Sequence, residues 1–93
     1  MKKIINPPAI EIEVVDRTGN IHLLKARVMT TSEIDEMGKM AERLNTGQVS
    51  TGSILEQQMA FIFGGKAEDY RIFDFRVIKA ALNYFNEEIS NPL

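Results

Sequence analysis

Few residues in this chain combine the types and spacing that bond-making chemistry requires. The best placed are in FIFGGKAEDY, Phe61 to Tyr70, where two glycines and a lysine precede two acids. A phosphate-cradling loop of the Gly-x-x-x-x-Gly-Lys-Ser/Thr kind holds several backbone amides inward between a strand and a helix. Here the glycines follow a helical pattern, Lys66 is followed by Ala67, and the position four before the pair is Ala60. The segment fails as a nucleotide loop in both sequence and context. Gly64 or Gly65 reads instead as a helix C-cap, because glycine reaches positive φ without a Cβ clash.

The other candidates are weaker. His22 is the single histidine and has no second imidazole or thiolate to complete a metal site, so it reads as a surface strand residue. The acid pairs Glu68/Asp69 and Glu87/Glu88 are adjacent, and neighbours on a helix point about 100° apart, which keeps them from converging on one substrate. They read as a helix start and a solvated helix end. Ser32, Ser50, Ser53 and Ser90 lack a nucleophile-base pattern. With no cysteine there is no thiolate nucleophile and no disulfide framework, which leans towards a reducing compartment. No residue is nominated as catalytic, cofactor-binding or metal-ligating, and no cofactor is expected.

Charge and hydropathy narrow the partners. Eleven basic against thirteen acidic residues give a net charge of −2, removing the field that favours nucleic acid. Arg17, Lys25 and Arg27, with Lys2 and Lys3, could form a basic patch, but Glu11 and Glu13 interleave with them and no aromatic residue stands by to stack bases. The start, MKKIINPPAIEIEVV, loses its apolar run too early for a secretory signal. Nothing approaches the roughly 20 apolar residues that span a bilayer. A soluble, cytoplasmic protein with neither nucleic-acid nor membrane partners is expected.

The elements that position these residues follow from periodicity. Ninety-three residues, 44% hydrophobic and 26% charged, make one globular domain, able to bury roughly 60 to 65% of its unfolded surface. Residues 1–8 form a loose arm ended by Pro7-Pro8, which cannot join a ladder interior. AIEIEVV and IHLLKARV alternate with period two around DRTGN, marking a β-hairpin over 9–29. The rest, 31–93, is helical, with a mobile loop at 46–52. The class is α+β: an N-terminal antiparallel β-hairpin followed by about three α-helices packed on it.

The expected hairpin register pairs positions whose numbers sum to 38. Ile10, Ile12 and Val14 then face Val28, Ala26 and Leu24, while Glu11 faces Arg27 and Glu13 faces Lys25 on the exposed side. Each opposite-charge pair is worth about 0.2 to 1 kcal/mol. The loop becomes Thr18-Gly19-Asn20, with Asn20 in the left-handed conformation. A one-residue slip would bury Lys25 against Ile12.

Thr30 and Glu33 have capping-box spacing, with Ser32 and Asp35 as a competing cap. Ile34, Met37, Met40, Ala41 and Leu44 recur as an amphipathic stripe. A second box, Ser53 to Glu56, opens a short helix on which Leu55, Met59, Ile62 and Phe63 share a face and Phe61 points elsewhere. Phe75, Ile78, Leu82, Phe85 and Ile89 form a seam along the final helix, which Pro92 closes. The seam serves either as core, against Ile10, Ile12, Val14 and the second helix, or in part as interface.

The order of hairpin, helix, polar loop and ILEQQMAFIFGGKAEDYRIFDFRVIKAALNYF resembles a tail assembly chaperone of long-tailed bacteriophages or prophages. The resemblance lies in Leu55 to Phe85: a helix ending in an aromatic-Gly-Gly turn, an acidic start at Glu68-Asp69 with Tyr70 and Phe73 behind it, and a final amphipathic helix. It extends more weakly to the strand pair. It implies a non-enzymatic protein that binds the tape-measure protein in the host cytoplasm, helps recruit tail-tube protein subunits and is absent from the virion. The chain ending at Leu93 would be the short form of a frameshifted pair. A holdase of this kind oligomerises or pairs amphipathic helices with its client. Met37 and Met40, which can re-pack against irregular surfaces, and Phe61 are the candidate partner contacts. The alternative is another small phage morphogenesis or regulatory interaction module without enzymatic activity.

Overall fold

In the computed structural model, residues 2–47 and 50–90 are described, the side chains of Leu44 and Asn45 excepted. Two strands, β1 (Glu11–Val15) and β2 (Ile21–Lys25), form an antiparallel two-stranded sheet. Three helices follow: α1 (Thr31–Asn45), α2 (Thr51–Phe63) and α3 (Phe75–Ser90), with a 3-10 turn at Ala67–Ile72 between the last two. The chain is an α+β fold in which a hairpin precedes the helices, as its periodicities require.

The register differs from the expected one by two residues. Glu11 pairs with Lys25, Ile12 with Leu24, Glu13 with Leu23, Val14 with His22 and Val15 with Ile21. The strand pair is closed by a bond from the Asp16 N–H to the Asn20 carbonyl (2.9 Å), leaving Arg17-Thr18-Gly19 as the loop. The left-handed position is Gly19, φ 94°, and not Asn20. Glycine occupies that conformation with no steric cost, whereas asparagine pays for its Cβ. The Asp16 carboxylate fixes the choice by accepting from the Thr18 N–H (2.9 Å), the Thr18 hydroxyl (2.7 Å) and the Asn20 N–H (3.0 Å).

A shift of two preserves which face each residue takes, so Ile10, Ile12, Val14, Leu24 and Ala26 still turn inward. Three details change. Val28, expected opposite Ile10, is almost fully exposed. His22, expected on the surface, is half-buried on the inner face. The charge pairing of Glu13 with Lys25 and Glu11 with Arg27 gives way to Glu11 opposite Lys25, and Arg27 joins Glu33 instead.

α1 begins where the capping box places it. The Glu33 N–H donates to the Thr30 hydroxyl (3.3 Å) and the Thr30 N–H to a Glu33 carboxylate oxygen (3.0 Å). α2 starts three residues earlier than the expected box, which made Ser53 its cap. Ser50 is its cap, accepting from the Ser53 N–H (3.2 Å). Of the loop expected at 46–52, Gln48 and Val49 lie outside the described residues, and 51–52 are already helical. Pro92 also lies outside them, as does the side chain of Leu44.

The core gathers Val14 of β1, Met59 and Ile62 of α2, Tyr70 and Phe73, and Ile78, Ala81, Leu82 and Phe85 of α3. Ile34 and Met37 of α1 pack against its margin. On α3 only the middle of the seam is core: Phe75 and Ile89, its two ends, are exposed.

Candidate interaction surface

The glycine pair caps α2 in geometry as well as sequence. Gly64 (φ 91°) and Gly65 (φ 78°) both take positive φ, and the Gly64 N–H returns to the Ala60 carbonyl at 2.9 Å. The Lys66 N–H, the amide a phosphate would need, is already bonded to the Asp69 carboxylate at 2.8 Å. An anion at this turn would meet that carboxylate first.

α2 has no basic residue in its last turn, and its terminal carbonyls are satisfied by groups from elsewhere in the chain. The Arg27 N–H donates to the Ile62 carbonyl (2.9 Å), the Arg27 guanidinium to the Phe61 carbonyl, and the Tyr70 hydroxyl to the Gly64 carbonyl. The same guanidinium lies over the Phe61 ring, 4.5 Å from its centroid, and pairs with Glu33 at the start of α1. A cation beside a helix C-terminus is favourable for the dipole. Arg27 thereby ties the end of the hairpin to both α1 and α2. Bonding to the Thr30 N–H, followed by the nearby Arg27 charge, holds the Glu33 carboxyl below the usual carboxylate range. Burial, and then the charge of Asp69, pushes the Tyr70 phenol up.

The three candidate contact residues therefore differ. Phe61 is half-buried beneath Arg27. Met37 is half-buried against the core margin, and Met40 is half-buried one turn further along α1. None of the described side chains of α1 is fully buried, and the helix rests on α2. Its opposite flank carries a shallow, charged concavity at Glu36, Lys39, Glu42 and Arg43, where Lys39 approaches Glu36 at 3.6 Å.

Two apolar features escape the periodicity argument. The outer face of the hairpin exposes Val15 (48%), Ile21 (68%) and Leu23 (63%) beside Glu11, Glu13 and Lys25. The adjacent pairs Val14-Val15 and Leu23-Leu24 carry the signal, because neighbours on a strand take opposite faces and one of each pair must turn outward. The second is a groove of about 200 Å³ between α2 and α3, lined by Leu55, Phe73, Phe75 and Ile78, with Arg71 on Glu56 at 3.3 Å on its rim.

Among the described residues, no three histidine, cysteine or acidic side chains converge as a metal site, and no helix is long and apolar enough to cross a membrane. Compared with known proteins, the chain matches no family model, no curated sequence and no solved structure.

Proposed function

We propose that this protein is a phage tail assembly chaperone, which binds the tape-measure protein in the host cytoplasm by apolar contact and helps recruit tail-tube subunits without performing chemistry. The observation that carries the reading is α1. It is a fifteen-residue amphipathic helix with no fully buried described side chain, and it presents Met37 and Met40 half-covered. A helix held this lightly can re-pack on an amphipathic client at small cost to its own fold, and methionine adapts to irregular apolar partners. Phe61 adjoins the Arg27 junction that anchors α1, so a client displacing α1 would also perturb Phe61.

The test is co-expression with a long helical tape-measure protein. The client is expected to stay soluble and co-purify only with this chain present. Replacing Met37 and Met40 by Asp should reduce recovery while the circular dichroism of the domain is unchanged. Equal client recovery with and without the chain would refute the reading.

A further inference from the structure

We infer that α1 and α2 are the two jaws of a cleft that takes an amphipathic helix with an acid in its first turn, closed in this structure by the pairing of Arg27 with Glu33. α1 runs antiparallel along α2. Arg27 joins Glu33, in the first turn of α1, to Phe61, in the last turn of α2, and residues 46–50 return the end of α1 to the start of α2. Ile54 lies two turns before Phe61 on the same face of α2. It is only 1% exposed, yet it stands outside the buried cluster that β1, α2, the 3-10 turn and α3 share. Its cover therefore comes from α1, which packs on α2 and contributes no fully buried residue to that cluster. α1 rides on a strip of α2 that runs from Ile54 to Phe61.

The ties across this strip are unequal. Arg27 is fixed to α2 by its N–H on the Ile62 carbonyl, its guanidinium on the Phe61 carbonyl and its seat over the Phe61 ring, but to α1 by Glu33 alone. Among the described residues, Glu33 makes the only side-chain hydrogen bond or ion pair that leaves α1 and its caps. Residues 26–30 before the helix, and Thr46, Gly47 and Ser50 after it, belong to no strand or helix, so α1 can swing as a unit. Arg27 then stays on α2 beside the bared strip, and Met37 and Met40 line the opposite jaw. Charge and shape name the occupant. The helix now seated on the strip is α1 itself, apolar at Ile34, Met37 and Met40, with Glu33 as its first-turn acid on Arg27. An incoming helix laid the same way puts its own first turn at Arg27, where an acid replaces Glu33 and a base is repelled. That this helix belongs to the tape-measure protein rests on the proposed function; the cleft is read from this chain alone.

The probe is a fluorescent peptide of the chain's own residues 29–46, added to the full chain and followed by anisotropy. Glu33→Gln in the full chain keeps the capping box, which glutamine also completes, and removes the charge from the clasp. The peptide is expected to bind that variant about two- to fivefold more tightly than wild type, the range an exposed ion pair supplies. A Glu33→Gln peptide should lose the same factor on the same variant. Hydrogen exchange, which needs no peptide, should show α1 amides opening before those of α3, with Glu33→Gln speeding α1 by a similar factor and leaving α3 unchanged. Equal peptide affinity for wild type and Glu33→Gln, absence of binding to both, or α1 amides that exchange only together with those of α3 would each overturn the cleft. Loss of the client in co-expression while the peptide still binds sinks the chaperone reading alone, and client recovery without peptide binding sinks the cleft alone.

Discussion

Nε2 of His22 lies 2.7 Å from Oδ2 of Asp16, joining the end of the hairpin loop to the inner face of β2. The imidazole also stands edge-on to Phe73, with ring centroids 5.2 Å apart, so the loop is held on the core side as well. Asp16 has a side chain only 7% exposed and accepts from His22, Thr18 and Asn20. One carboxylate thus sets the turn, the register and the orientation of the single histidine.

This arrangement makes stability fall in acid. The His22 bond first, then the Thr18 hydroxyl, holds Asp16 far below the usual carboxylate range. The Arg76 guanidinium, then its N–H, holds Asp74 down to about 2. Groups that titrate lower in the folded chain than in the unfolded one contribute stability that is complete above an ordinary carboxylate pKa of about 4 and is lost as pH falls through the folded value. Thermal melts should therefore show a Tm that declines below about pH 4. Asp16→Asn should lower Tm at neutral pH and flatten that decline. Parallel pH profiles for the variant and the wild type would show that the loop carboxylate is not a source of the slope.

Two glycine substitutions should act with opposite signs. At Gly65 a Cβ would come within 2.8 Å of the Asp69 carboxylate oxygen, on a backbone with φ 78°. Gly65→Ala should cost about 1 kcal/mol or more. Gly38 lies inside α1 with nothing within 4 Å of a built Cβ. There Gly38→Ala should gain about 0.5 to 1 kcal/mol, by helix propensity and by restricting the unfolded chain. Urea denaturation of the two variants gives both values, and equal effects would contradict the assigned backbone conformations.

Truncations along the α3 seam should separate its middle from its end. Phe85 is almost wholly buried, and Phe85→Ala should cost roughly 3 to 5 kcal/mol, comparable to the whole stability of a small domain. Ile62→Val, facing the same core, should cost about 0.5 to 1.5 kcal/mol. Ile89→Ala should stay within about 0.5 kcal/mol of wild type, because Ile89 is exposed. A large loss at Ile89 would mean that the end of the seam is covered in solution.

Sequence periodicity determined that Ile10, Ile12, Val14, Leu24 and Ala26 take the inner face of the hairpin, that α1 starts at the Thr30-Glu33 box and that α2 ends at the Gly64-Gly65 pair, because burial parity and capping act over a few neighbouring residues. The two-residue translation of the sheet also rested on local groups, the Asp16 carboxylate and the φ of Gly19, but sequence reading assigned the left-handed position to Asn20. Tertiary structure decided the rest. Arg27 caps the carbonyl of Phe61 from 34 positions away, His22 finds Phe73, and the helices leave Phe75, Ile89 and the outer face of β2 uncovered. Such choices depend on which distant groups meet in space, and no local pattern in the chain encodes that meeting.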